Sequence, residues 1–506
     1  MIFLPIVTRE LRVAARRKTT FIIRCAVALI GIVIGGFLLF MFEMVGPMGG
    51  GGAMVFLIVS RYTLFLALLG GIFLASDCVS EERREGTLGF LFLTDLKGYD
   101  VVLGKFTAVS LNAFYGLLAG FPVLALSMLA GGVTAGEFWR TCLTLANTLF
   151  VSVAAAIWMS SISKSTYRAM SSAVCLLLGI IVTAIIAYEM SSVVVRFSAP
   201  LFYVAAVSPL TSYHLASAAN YFRQAGSFWS SLAISNGAGW LFLGLAGWRL
   251  SVFTEKPPIR TGWRRIFARD LLAGKTDRRS GLLAVNPVLW ILDDSRRMRV
   301  LAWAIAIISG ALLLTASAFD ALGAGTPFLN HYLSWPCYFL LKVLFTIQAC
   351  RFFSESRRTG ALELLCCTPM TMNEIIKGQW MALRRIFLWP VLVLFFSQLA
   401  CFCFSSRSVF AGAMPDAFMG AYTLYQMVRH VADFFAAGWF GMWLALTIRK
   451  PNAAAGLTIL YVLVLPTIIF CVPTVATDAV FIIVGFAKLR QDFRIHHVNW
   501  VAPQAG

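Results

Sequence analysis

Runs of about twenty apolar residues, separated by short charged gaps, recur along this whole chain. A helix of that length crosses a hydrocarbon core of ~30 Å. Within lipid every backbone N–H and C=O must be satisfied by the chain itself, so only helices and closed barrels can span. The runs are rich in Phe, Leu, Ile, Val and Ala with little strict alternation, which selects helices over an outer-membrane barrel. Only 13% of the 506 residues are charged and the mean hydropathy is +0.81. A soluble chain has about a quarter of its residues charged, so too little polar surface exists here to cover a water-facing body. The expected class is an all-α, polytopic transmembrane helical bundle.

Spans are expected at 21–42, 55–76, 106–130, 139–160, 169–188 and 231–250, then at 300–318, 333–352, 381–404, 430–448, 453–472 and 474–489. The last is short and contains Asp478, so the count is twelve, with eleven as the alternative. Residues 1–20 read as an amphipathic surface helix, with Phe3, Ile6, Val7 and Leu11 on one side and Arg9, Arg12, Arg16 and Arg17 on the other. No cleavable signal peptide is expected. Residues 190–230 suggest short interfacial or re-entrant helices on the external side. Three regions follow: a first transmembrane half at 1–250, a basic cytoplasmic linker at 251–286, and a second transmembrane half at 287–506.

The net charge of +19 arises from Lys and Arg in the gaps that would be cytoplasmic. That bias places both termini on the cytoplasmic side of the cell's inner (cytoplasmic) membrane. Anionic headgroups of the lipid bilayer supply the counter-charge. No basic stretch is interleaved with aromatics as a base-stacking platform would be, so nucleic acid is not an expected partner. Eleven cysteines include no CxxC and no Cys/His metal spacing, and no metal site is expected.

One charged segment occurs twice. Residues 80–104 read SEERREGTLGFLFLTDLKGYDVVLG and residues 354–378 read SESRRTGALELLCCTPMTMNEIIKG, an ungapped match 274 positions apart. The pairs Ser80/Ser354, Glu81/Glu355, Arg83/Arg357, Arg84/Arg358, Gly86/Gly360, Leu88/Leu362, Leu91/Leu365, Thr94/Thr368 and Gly104/Gly378 coincide. Each copy follows two expected spans, and six spans separate equivalent points, so both copies face the same side. That is a parallel repeat of two six-helix units, unlike the inverted repeats of many secondary transporters. Physically each copy is a helix end, a turn and another helix. Glu81, Glu82, Arg83 and Arg84 carry the second span into water, Gly86 and Gly360 suit a sharp change of direction, and Leu88 and Leu362 begin an apolar face at the membrane surface. Such an elbow could take a push from a soluble partner. It reads equally as an ordinary loop helix anchored to headgroups.

At these residues the sequence resembles the ABC-2 family of ABC-exporter permeases, whose signature between the second and third spans has the form E-R-x-x-G-T-L-x-x-L-x-x-T-P-L and ends near G-K. The first copy supplies Glu82, Arg83, Arg84, Gly86, Thr87, Leu88, Leu91, Thr94, Leu96, Gly104 and Lys105, departing at Asp95. The second supplies Arg357, Arg358, Gly360, Leu362, Leu365, Thr368, Pro369, Met370 and Gly378, departing at Ala361 and Gln379. The resemblance implies two fused permease units, with each elbow docked on one subunit of a separate ABC ATPase present in two copies. Both units then come from one chain, and no second permease chain is required. The coupling residues it implies are Glu81, Glu82, Arg83, Arg84, Gly86, Thr87, Leu88, Glu355, Arg357, Arg358, Gly360 and Leu362. ATP and Mg would be bound by the partner ATPase, and this chain would bind no cofactor. Its single Walker-like tripeptide, Gly274-Lys275-Thr276, has Arg269 where the first glycine of the phosphate loop belongs.

Lys342 falls near the middle of the eighth expected span, opposite Leu68 of the first half. A charge there is costly and usually faces a bundle interior or a wet cavity. It is a candidate pathway residue, or a lysine snorkelling to an interface. Arg429 and Asp433, one turn apart, read as a local ion pair. HExxH and GxSxG are absent and no enzyme is expected. A secondary transporter would need intramembrane carboxylates at equivalent positions of both halves, and none is visible. An ABC-linked scaffold or mechanical complex that exports nothing is the alternative function.

Overall fold

A computed structural model describes residues 51–85, 97–129, 131–163, 165–193, 198–255, 286–292, 296–321, 329–405, 416–448, 450–468 and 474–501, together with Thr8, Gly35 and Gly36. Most of the first expected span, most of the amphipathic start and residues 256–285 of the linker lie outside them. So do Gly86, Thr87 and Leu88. Every regular element among the described residues is a helix. The chain divides into two units, Met1–Pro257 and Pro258–Gly506, with the division inside the expected linker.

In the first unit, α1 (Gly51–Ala75) is followed by α2 (Ser80–Glu85), α3 (Gly98–Leu118), α4 (Phe121–Leu129), α5 (Ala135–Ile162) and α6 (Thr166–Val193). Two short helices, α7 (Ser198–Ala206) and α8 (Pro209–Leu215), lead into α9 (Ala218–Glu255), which kinks at Gln224. The central helix is α5, with Val153, Ala154, Ala155, Ala156 and Ile157 fully buried in sequence. It packs on α1, where the Ser152 hydroxyl donates to the Leu68 carbonyl. It also packs on α9, where the Asn147 amide donates to Ser235 Oγ at 2.8 Å and accepts from Asn236 at 3.0 Å. Small polar residues that satisfy one another across helices are how bundles bond where water is scarce. The short α8 is tied inward by Ser60 Oγ on Tyr213 Oη at 2.6 Å, and Arg140 Nε donates to the Ala216 carbonyl at 3.0 Å.

The second unit begins with α10 (Pro287–Leu292) and α11 (Arg296–Ala321). The long α12 (Leu329–Thr359) follows, then α13 (Ala361–Cys366), α14 (Met372–Ser405) and α15 (Asp416–Thr447). A composite helix comes next: α16 (Pro451–Thr458), a π-helical stretch Ile459–Val464 and α17 (Leu465–Ile468). Pro466 lacks an N–H, and the looser i→i−5 pattern, with Leu465 N–H on the Leu460 carbonyl, absorbs the mismatch. The last helix is α18 (Thr474–Val501). Here α12 is the buried centre: residues 337–350 are all shielded from solvent.

Seven helices among the described residues are long and apolar enough to cross a membrane: Gly52–Arg84, Gly98–Leu129, Ala135–Ile162, Thr166–Ala187, Arg297–Thr315, Cys337–Thr359 and Met372–Ala400. They fall on the second to fifth and seventh to ninth expected spans. The eleventh is occupied by a shorter apolar helix, Pro451–Thr467, and α9, α15 and α18 cover the sixth, tenth and twelfth positions.

Candidate functional site

The elbow is fully described in the second unit. Helix α12 runs unbroken through Ser354, Glu355, Arg357 and Arg358 and stops because Gly360 takes φ +72°, ψ 2°, the left-handed conformation that closes helix ends. One turn and a half of helix follows as α13, which tucks in Leu362 and Leu365 and leaves Leu364 72% exposed. Thr368 Oγ1 then caps back to the Leu365 carbonyl at 2.6 Å. The next helix opens with the Thr371 N–H donated to Glu374 Oε2 at 2.7 Å, the acidic half of a capping box. The first unit starts its third helix the same way: the Lys97 N–H donates to Asp100 Oδ2 at 3.2 Å. Gly98 and Met372, where the two helices begin, are 274 positions apart, the offset of the sequence repeat.

The arginines of the motif point into their own bundles. Arg83 Nη1 donates to the Ser161 carbonyl at 3.4 Å. Arg357 Nη1 donates to the Leu446 and Thr447 carbonyls at 2.5 and 3.0 Å. Each guanidinium therefore covers the open carbonyl end of the helix that closes against it, α5 in one unit and α15 in the other. A cation there meets unsatisfied acceptors and the negative end of the helix dipole. Arg84 is also engaged: Nη1 donates to Thr166 Oγ1 at 2.7 Å and sits 3.9 Å from Asp77 Oδ1. Thr166 and Ser80 both donate to that same carboxylate oxygen. Arg358, its sequence equivalent, is exposed. At the position of Asp77 the second unit has Arg351, which offers no acceptor and pairs with Glu355 at 3.0 Å.

A second exchange accounts for a departure from the motif. In the first unit Lys105 pairs with Glu82 at 2.8 Å, both side chains largely buried. In the second, Ser356 replaces Glu82 and Gln379 replaces Lys105, and Gln379 Nε2 donates to the Ala349 carbonyl at 3.1 Å. Both charges are absent together, so no buried ion is left alone. Of the residues expected to couple outward, Glu81, Glu355 and Arg358 face solvent, whereas Arg83, Arg84 and Arg357 hold the bundle.

Lys342 is in α12 with its side chain 7% exposed, and its ammonium is bonded to Asp433 Oδ2. It also lies 2.9 Å from His430 Nδ1, whose ring stacks on Tyr338 at 4.1 Å. Asp433 therefore bonds across helices to Lys342. That differs from the Arg429–Asp433 pair expected along one helix. A further residue, Asp478 of α18, is wholly buried beside Asp433. In the sequence the one warning is a charge in an apolar run. Which carboxylates meet depends on three helices 45 to 136 positions apart in the chain.

These features define an α-helical, membrane-embedded protein built of two helical units. Comparison with protein-family models and with curated proteins gives no match to this chain.

Proposed function

We propose that this chain is the membrane-spanning permease subunit of an ABC transporter of the ABC-2 type, an exporter, moved by a separate ABC ATPase. The observation that carries the reading is the elbow of the second unit. A long membrane helix continues into water, breaks at Gly360, lays a short helix with Leu364 outward, and turns back through a capped helix start. The interior arginine makes the elbow stiff by tying it to the far end of α15. A load applied at Leu364, Glu363 or Arg358 would then move α12, α14 and α15 together. The twice-occurring motif supports two such elbows and thus two ATPase subunits, with ATP and Mg held in those subunits.

Co-purification from native membranes tests this. An ATPase of the ABC class is expected to accompany the chain and to be lost on Arg358→Glu combined with Leu364→Asp, both at exposed positions. The same change at Arg84 would disturb folding and is uninformative. Retention of the ATPase by the folded double variant, or its absence from the wild-type preparation, overturns the proposal.

A further inference from the structure

Five ionisable side chains converge inside the second unit from three helices: Lys342 of α12, Arg429, His430 and Asp433 of α15, and Asp478 of α18. Counting donors and acceptors limits their protonation. The Lys342 ammonium has only hydrogens to give, so His430 Nδ1 accepts one and the neutral ring carries its own hydrogen on Nε2. Asp433 takes a second hydrogen from the same ammonium. Among the described residues Asp478 receives none. Both its oxygens are buried without a donor, and the polar group within hydrogen-bonding reach is the carboxyl of Asp433. Arg429 lies within electrostatic range of Lys342 and Asp478, but its buried Nε meets no acceptor among the described residues.

Two ionised carboxylates in contact are acceptor against acceptor, and such a pair relieves its repulsion by retaining one proton between them. Asp433 is the partner already neutralised by Lys342, so it keeps the charge and the hydrogen rests on Asp478. A metal ion is the other way to bridge two carboxylates. Among the described residues, however, no group of three or more His, Cys, Asp or Glu side chains has metal-holding geometry. We propose that Asp433 and Asp478 share a single proton taken from water, making the second unit an intramembrane protonation site. At the matching positions the first unit carries Leu68, Met159 and Val204, none of them ionisable. Release of that proton leaves a second negative charge facing Asp433 across the α15–α18 seam, so proton activity is tied to how those helices pack. The inference does not depend on the transporter reading, and it stands or falls without an ATPase.

Infrared difference spectroscopy of the purified full chain in lipid tests it. At neutral pH the wild type is expected to show the carbonyl stretch of a protonated carboxylic acid, shifted in D2O and missing from Asp478→Asn. It is also expected to be missing from Asp433→Asn, because Lys342 then turns to an ionised Asp478. No such band in the wild type, or its persistence in either variant, overturns the proposal. Loss of the band when sodium chloride replaces choline chloride at constant ionic strength also overturns it, in favour of a metal cation. Should the variants fail to fold, a hydrophobic carbodiimide on the wild type gives a second readout. A carbodiimide adduct mapped to Asp478 is expected, and an adduct confined to Asp433 refutes the assignment.

Discussion

Gly360 owes its identity to backbone direction and not to crowding, since an added Cβ would meet nothing nearer than Glu363 Oε2 at 3.6 Å. Gly360→Ala is therefore expected to cost about 1 kcal/mol, the price of a left-handed conformation in an L-residue. Gly360→Asn should cost less, because Asn tolerates that conformation better. Thermal unfolding in detergent should rank the three Gly, Asn, Ala. Arg357 works by hydrogen bonding. Arg357→Met uncovers two carbonyls at the end of α15 and should lower stability by ~1–3 kcal/mol. Arg83→Met, whose bond to the Ser161 carbonyl is longer at 3.4 Å, should cost less, and urea unfolding of the two variants compares them. At this scale the motif was legible but its roles were only partly so. Arg84 and Arg358 look interchangeable in sequence. They part company because the residue seven positions earlier is Asp77 in one copy and Arg351 in the other.

Helix positions were largely legible from apolar runs, because length and composition alone determine what can cross a bilayer. Helix partners were not, because an apolar face matches any other apolar face. The exchange of Lys105 and Glu82 for Gln379 and Ser356 shows how a partner can still be read: two departures from one motif that cancel in charge. Gln379 is 1% exposed and Ser356 7%, so Gln379→Lys or Ser356→Glu alone would strand a buried ion. The double variant should recover much of the loss, with a coupling of ~1–3 kcal/mol in a double-mutant cycle. The elbow helix α13 offers a chemical test as well. Partial burial, reinforced by Cys367 and Glu363 beside it, pushes the Cys366 thiol up, whereas Cys367 is exposed. Since the thiolate is the nucleophile, a membrane-impermeant maleimide should modify Cys367 ahead of Cys366 near neutral pH. The gap should narrow as pH rises through and above the ordinary thiol value of ~8.5. Peptide mapping reads both rates, and labelling should occur from the cytoplasmic side only.

The two units are alike in how the helix after the elbow starts, α3 and α14, and in how an arginine covers the carbonyl end of a later helix, α5 and α15. They differ in what lies between their helices. The first joins its central helices through Ser152 on a backbone carbonyl and through Asn147, all uncharged. The second places a lysine and two aspartates at its centre. A repeated elbow sequence with unlike interiors fits the proposed pair of ATPase contacts, with buried charge placed in one unit. That reading requires the elbows to lie on the same side of the membrane, which in turn requires an even number of crossings from one to the other. Topology reporters test the parity directly. A cytoplasm-active reporter and a reporter active only outside should each be fused after Lys97 and after Thr371, at the two elbows, and also after Lys275, between the units, and after Gly506. Cytoplasmic activity is expected at all four points, because Lys and Arg crowd the segment 251–300 and six expected spans precede and follow it. Cytoplasmic activity after Lys275 with external activity after Gly506 would mean that α18, with Asp478 near its start, does not cross. The second unit would then have five spans, and its buried carboxyl pair would sit where a surface helix docks on the bundle.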